Sequence, residues 1–123
     1  MRYILILLLA FATSASSSPD IEFLNVYNFD EKVYVNEIVV VEFWAEWNSN
    51  NAYPIETLDL ADVYRVDVDE ERQLVSCYDV RSVPTIIIFK DGEIRYKTSS
   101  DISFKQVTDI YDLQTIIDAL YFE

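Results

Sequence analysis

The stretch Ile38–Asn51, which reads IVVVEFWAEWNSNN, decides the fold of this 123-residue chain. Its first part, Ile38–Ala45, is almost entirely apolar and either β-branched or aromatic. Such a run is typical of a strand that is covered on both faces in the middle of an α/β sheet. Its last part, Asn48–Asn51, consists of short polar residues, which favour loops and helix N-caps. The stretch therefore predicts a buried central strand that ends in a polar loop.

The residues on either side of this strand predict an alternation of strands and helices. Pro54 suits the first turn of a second helix, where its missing N–H costs nothing. The acidic run Asp69–Glu71 favours the positive end of a third helix. The only glycine, Gly92, lies in a tight turn that favours a positive φ. The predicted strands are 21–26, 38–45, 63–68, 83–90 and 94–98, and the predicted helices are 28–33, 54–62, 69–78 and 110–121.

Two groups of residues resemble the thioredoxin family. Val41–Trp47, which reads VEFWAEW, is similar to the strand that delivers the redox site in thioredoxins and in the a-type domains of protein disulfide isomerases. Val66–Asp69, Tyr78–Thr85 and Phe89–Gly92 resemble later family segments in the same order. The resemblance implies an α/β thioredoxin fold, βαβαβαββα, with a central mixed sheet flanked by helices, in a domain at residues 20–123. The second helix is expected to be about two turns shorter than in the family.

The resemblance also implies where chemistry would occur, and there the sequence differs from the family. The family has CxxC after the residue that corresponds to Trp47, whereas this chain has Asn48, Ser49, Asn50 and Asn51. An amide cannot form the thiolate that attacks sulfur. The sequence therefore predicts no catalytic residues and a protein that is not an enzyme. The four loop residues are interpreted as caps of the second helix, and a ligand at the N-terminus of that helix is the alternative.

Three residues of the resemblance predict a surface that binds extended or unfolded polypeptide. Pro84 matches the family's proline that follows a cis peptide bond, and the backbone just before it, here Val83, pairs with extended substrate in the family. Trp47 matches an aromatic residue that is often partly exposed. The implied function is a non-catalytic, chaperone-like polypeptide-binding module. A structural turn at Pro84 and simple packing of Trp47 are the alternative interpretations.

Two further residues have more than one interpretation. Glu42 matches a buried carboxylate that accepts a proton beneath the family's dithiol, and burial would raise its pKa. Without a thiol above it, Glu42 is interpreted as a buried acid that relays no proton. Cys77 is the only cysteine, and it is predicted to lie on the third helix, either as a buried inert thiol or in a disulfide-linked homodimer. Catalysis by Cys77 alone, as an oxidoreductase or isomerase, is an alternative function.

The start of the chain predicts its compartment. Residues 1–16 combine Arg2, the short apolar run Ile4–Phe11 and small residues around Ala15, a pattern typical of a cleaved signal peptide. The apolar run is too short to cross a bilayer, which needs about 20 residues. Because Leu120–Glu123 is not a retention signal, the mature protein is predicted to be secreted. Residence in the lumen of the endoplasmic reticulum is the alternative.

The charge of the chain bounds its partners. Of 9 basic residues, 8 remain after Arg2 is removed, and against 22 acidic residues they give a net charge of −14. This charge disfavours nucleic acids and membrane surfaces as partners. The absence of histidine and the single cysteine exclude a zinc site of the usual type within one chain, and no metal or cofactor is predicted. An acidic structural or calcium-buffering role is a further alternative.

Overall fold

The computed structural model describes residues 20–123, which form a mixed sheet with helices on both faces. The strands lie in the order β2 (Asp62–Asp67), β1 (Ile38–Trp44), β3 (Thr85–Lys90) and β4 (Glu93–Ser99). Strands β1 and β2 are parallel, whereas the β1–β3 and β3–β4 pairs are antiparallel. This confirms the predicted α/β architecture. The predicted signal peptide at residues 1–16 lies outside the described residues. The elements are α1 (Phe29–Val33), β1 (Ile38–Trp44), β2 (Asp62–Asp67), α2 (Arg72–Cys77), β3 (Thr85–Lys90), β4 (Glu93–Ser99) and α3 (Ile110–Tyr121).

Strand β1 is buried on both faces, as its apolar run predicts. Successive side chains of a strand point to opposite faces of the sheet. Val41 and Phe43 therefore pack in one core cluster, which also contains buried residues of α1 and α2. Val40 packs in a second cluster with Leu113 and Ile117 of α3. The central strand therefore contributes to two cores, one on each face of the sheet. Each of its fully buried aliphatic or aromatic side chains stabilises the fold by about 1.5–3 kcal/mol.

The predicted first strand, residues 21–26, is reduced to a single parallel bridge between Phe23 and Arg65. Leu24 donates its N–H to the Arg65 carbonyl at 2.8 Å. The pairing ends there because the Asn25 side chain turns the backbone. Its Oδ1 accepts hydrogen bonds from the N–H groups of Tyr27 (2.8 Å) and Asn28 (3.1 Å), an Asx turn that competes with strand pairing.

The predicted second α-helix, at 54–62, is not formed. Two 3₁₀ turns, Glu46–Asn51 and Ile55–Thr57, occupy the connection between β1 and β2. Pro54 precedes the second turn with a ψ of 59°, outside the helical region. One side chain from β1 and one from β2 also form hydrogen bonds with the backbone of Tyr53. Its N–H donates to Glu42 Oε2 at 2.9 Å, and its carbonyl accepts from Arg65 Nη2 at 3.0 Å. The same carbonyl accepts from the Ile55 N–H at 2.8 Å, and the Thr57 N–H donates to Pro54, so the backbone here forms tight turns in place of α-helical bonds.

The C-terminal half follows the sequence prediction closely. Gly92 lies in the turn between β3 and β4 with a φ of +79°. This confirms the prediction, because glycine adopts positive φ without steric cost. Helix α3 has the predicted bounds, and its N-cap Asp109 accepts a hydrogen bond from the Tyr111 N–H at 2.7 Å. Helix α3 covers the second core cluster with Leu113, Ile117 and Leu120. Within residues 20–123, no helix has the length and apolar character that crossing a membrane requires.

Candidate functional site

The sheet register brings the loop after β1 and the proline before β3 to the same edge of the sheet. Because β1 and β3 are antiparallel, Phe43 near the end of β1 pairs with Thr85 at the start of β3. The loop that follows β1 therefore lies beside Val83 and Pro84. The Val83–Pro84 peptide bond is cis, as predicted. Two segments that are 35 residues apart in the chain, at Asn48 and Val83, thus form one site.

Asn48 and Asn51 join the parts of this site through their amide groups. Asn48 is only 8% exposed, and its Nδ2 donates to the carbonyls of Phe104 (3.0 Å) and Val83 (3.3 Å). Asn51 Nδ2 donates to Asn48 Oδ1 at 2.9 Å. The prediction that these residues cap a helix is wrong, because the residue at the N-cap is Ala45 and no side chain caps this turn. Ser49 and Asn50 are exposed.

An exposed aromatic pair lies over this amide cluster. Trp47 is 61% exposed and contacts Phe104 edge to face, with 5.3 Å between the ring centroids. Phe104 has a φ of +62°, a conformation held in a turn in which Asp101 Oδ1 accepts from the Ser103 N–H at 2.8 Å. Sequence reasoning missed Phe104, since residues 99–108 read only as a loop. The signal available was a large aromatic residue in a polar segment.

A groove of about 310 Å³ lies beside the aromatic pair. Trp47, Phe104 and Val83 form part of its wall, so it contains two of the three residues predicted to contact polypeptide. Arg72 and Arg81 also line it. The remaining lining residues come from the end of β2, helix α2 and the segment before the cis-proline: Val68, Asp69, Val75, Val80 and Ser82.

Glu42 lies within the sheet beneath the loop and does not line the groove. Its side chain is 0% exposed, as predicted, and the register of β1 with β2 places it opposite Arg65. Arg65 Nε donates to Glu42 Oε1 at 2.8 Å. Burial raises the pKa of Glu42, and hydrogen bonds from Tyr53 and Arg65 oppose that rise. No partner for this acid was predictable from the sequence, because the pairing depends on strand register.

Comparison with known proteins identifies the family of this chain. A family model described as Thioredoxin matches residues 20–112. The chain belongs to the thioredoxin family. It is 35% identical over 74 residues to a thioredoxin of Staphylococcus haemolyticus, a match that covers 54% of this chain and 70% of that protein. A thioredoxin of Rickettsia bellii is also 35% identical, over 75 residues, with 54% and 71% covered.

Solved structures show the same fold. A mutant thioredoxin from Halobacterium salinarum superimposes with a TM-score of 0.68 and 26% sequence identity, covering 89% of this chain and 97% of that one. A thioredoxin from Malassezia sympodialis has a TM-score of 0.60 at 21% identity, covering 87% and 96%, and at that identity the likeness concerns the fold alone. The predicted thioredoxin fold is therefore confirmed.

These relatives contradict one prediction, that the chain is not an enzyme. The curated relatives carry the name of an oxidoreductase, and nothing shows this thioredoxin-family member to be non-enzymatic. The prediction rested on the amides Asn48 and Asn51. It was wrong because the loss of one pair of side chains does not establish that a protein catalyses nothing.

Cys77 and the acidic run lie outside the groove residues, apart from Asp69. Cys77 is an exposed thiol at the end of α2, so the interpretation as a buried inert thiol is wrong. Asp67 Oδ1 accepts a hydrogen bond from the Asp69 N–H at 2.9 Å, and this turn leads the chain from β2 into α2. Across residues 20–123, no group of three or more acidic, cysteine or histidine side chains is arranged to hold a metal ion.

Proposed function

We propose that this thioredoxin-family protein binds extended or unfolded polypeptide in the groove beside cis-Pro84, as a chaperone-like module of the secretory pathway. The observation that supports it most is the open groove lined by the exposed Trp47 and by Val83, the residue before cis-Pro84. An aromatic residue with this exposure is typical of a recognition surface. The proposal includes cleavage of the predicted signal peptide and secretion of the mature chain.

The groove has the composition that an apolar side chain of a peptide requires. Val68, Val75 and Val80 line it together with the two aromatic rings. A volume of about 310 Å³ is at the lower end of the range for ligand pockets. It suits one or two side chains of a polypeptide that extends beyond the groove, because a longer ligand finds further contacts along the open surface.

The backbone at Val83 supplies one hydrogen bond to such a ligand. The Val83 carbonyl already accepts from Asn48, whereas its N–H donates to no residue of the described part of the chain. An extended peptide that passes this point is therefore held through its own carbonyl by the Val83 N–H. Main-chain bonding of this kind is the basis of strand addition, in which pockets for side chains then supply selectivity.

Binding of labelled, cysteine-free peptides tests the proposal directly. Fluorescence anisotropy with a series of short peptides that contain leucine or phenylalanine should show saturable binding to the purified protein. Trp47→Ala should weaken that binding about tenfold, because it removes an aromatic anchor worth more than about 1 kcal/mol. Tyr111→Ala removes an even more exposed ring, on α3 and outside the groove, and should change nothing. Equal loss in the two variants, or no saturable binding, would reject the groove as the site.

A second candidate function is thiol–disulfide exchange through Cys77. The names of the relatives and the exposure of this thiol favour it. Cys77 is the only sulfur nucleophile of the chain, so its thiolate would form a mixed disulfide that an external thiol such as glutathione then releases. Insulin reduction with glutathione present tests this candidate. Turnover should disappear in Cys77→Ser, and absence of turnover in the unmodified protein would remove it.

A further inference from the structure

Two arginines line the groove of this strongly acidic protein. Arg72 and Arg81 lie there with one carboxylate, Asp69, and each forms an exposed ion pair, Arg72 with Asp69 and Arg81 with Asp79. The whole chain carries only 9 basic residues against 22 acidic ones, so two guanidinium groups at one small groove are a local concentration of donors for a carboxylate. We infer that this groove selects polypeptide segments in which a large apolar side chain is flanked by carboxylates. The inference rests on the proposed function and adds the chemistry of the ligand.

Both guanidinium groups have hydrogen-bonding capacity to spare. Arg81 donates only through Nε, to Asp79 Oδ1 at 2.9 Å, and makes no other hydrogen bond with the described residues. Arg72 has its nearest carboxylate oxygen, Asp69 Oδ1, at 3.8 Å, which is beyond hydrogen-bonding distance. The side chains are 76% and 83% exposed for Arg72 and Arg81. Surface pairs of this kind are weak, so a carboxylate of the ligand competes with them easily.

The guanidinium group is suited to this task by its geometry. It is planar and presents a fork of N–H donors that matches a carboxylate in a bidentate arrangement. The valines and the rings of Trp47 and Phe104 line the same groove as the two arginines, so an apolar side chain enters the groove while neighbouring carboxylates meet the guanidinium groups. A lysine or arginine of the ligand at the same positions would meet like charge.

The negative charge elsewhere on the protein does not cancel this preference. At physiological ionic strength, charges on exposed side chains are screened over about 8 Å. Acidic residues beyond that distance therefore act on the ligand only weakly, whereas the arginines of the groove act at contact. The distant charge slows the approach of an acidic peptide, and the groove determines which peptide stays bound.

Three labelled peptides distinguish the outcomes. Each has a central leucine and phenylalanine, flanked by two glutamates, two glutamines or two lysines. The affinity should fall in that order. Replacing Arg72 and Arg81 together with glutamine should weaken binding of the glutamate peptide about tenfold, roughly threefold for each arginine. It should leave binding of the glutamine peptide within twofold. Arg95→Gln removes the same charge from β4 and should alter neither value.

Failure of this inference differs from failure of the proposed function. Equal affinities for the glutamate and glutamine peptides, or tighter binding of the lysine peptide, would overturn the inference. If Trp47→Ala still weakened that binding, the groove would stand as the binding site. An arginine double variant that weakens all three peptides alike would also overturn it. If none of the peptides binds, the proposed function falls as well.

Discussion

Replacing Asn48 with alanine should destabilise the protein more than any other single change in the loop after β1. The side chain is 8% exposed and takes part in three hydrogen bonds. It donates to the carbonyls of Phe104 and Val83, and it accepts from Asn51. Alanine removes all three bonds and leaves the Val83 carbonyl without its partner at a buried position.

The magnitude follows from the geometry of these bonds. A hydrogen bond contributes about 0.5–1.5 kcal/mol net, and an unpaired buried polar group costs about 1–3 kcal/mol. The bond to Val83 is long, at 3.3 Å, so its contribution lies at the lower end of the range for a hydrogen bond. The expected loss in the free energy of unfolding is therefore about 2–3 kcal/mol. Asn48→Asp should cost at least as much, because it directs carboxylate oxygens at two carbonyl oxygens.

Urea unfolding followed by circular dichroism measures this loss. Asn50→Ala is the matched control, because Asn50 is exposed and its side chain makes no hydrogen bond with the described residues. It should stay within about 0.5 kcal/mol of the unmodified protein. Asn48→Ala should also weaken peptide binding, since the contact that positions Phe104 beside Trp47 is lost. Equal stability of the Asn48→Ala and Asn50→Ala variants would refute the reasoning.

Two further predictions concern buried charge and the exposed thiol. Burial raises the pKa of Glu42 above its ordinary value of 4.5. The free energy of unfolding that protonated Glu42 contributes is therefore complete below pH 4.5, and it is lost as the pH rises through the pKa of Glu42 in the folded protein. The excess stability of the unmodified protein over Glu42→Gln, measured by urea unfolding across this range, should therefore fall with rising pH; a constant difference would contradict the assigned shift. For Cys77, intact mass measurement of the secreted protein without reductant should show a chain that lacks residues 1–16 and a disulfide-linked dimer that Cys77→Ser abolishes. A full-length mass would contradict the signal peptide, and a monomer with a free thiol would contradict the dimer.

The candidate site was only partly predictable from the sequence. The cis bond at Val83–Pro84 and the exposure of Trp47 agree with the sequence prediction, because these residues lie in segments whose order and spacing resemble a known family, while their contact with polypeptide stays a prediction. Phe104 and Arg65 were not found, because nothing near them in the chain indicates their partners. Phe104 meets Trp47 only after the loop before α3 folds back over the sheet edge. Arg65 meets Glu42 only through the register of two parallel strands.

The second helix shows how tertiary contacts override a local pattern. Pro54 and the polar residues before it suited the start of a helix. In the folded chain, the buried Glu42 accepts from the Tyr53 N–H, and the partly buried Arg65 donates to the Tyr53 carbonyl. Satisfying a buried carboxylate is worth more than a short helix, because an unpaired buried charge costs several kcal/mol whereas a helix of two turns is marginal by itself.

The sequence by itself determined the central strand, the hairpin at Gly92 and helix α3, because hydrophobic periodicity and turn chemistry are local properties of the chain. The tertiary structure alone decided the role of Asn48 and Asn51. The sequence indicates only that sulfur is absent from these positions. Their amides bind each other and two carbonyls from distant segments, and such long-range satisfaction of buried polar groups depends on where folding brings those segments.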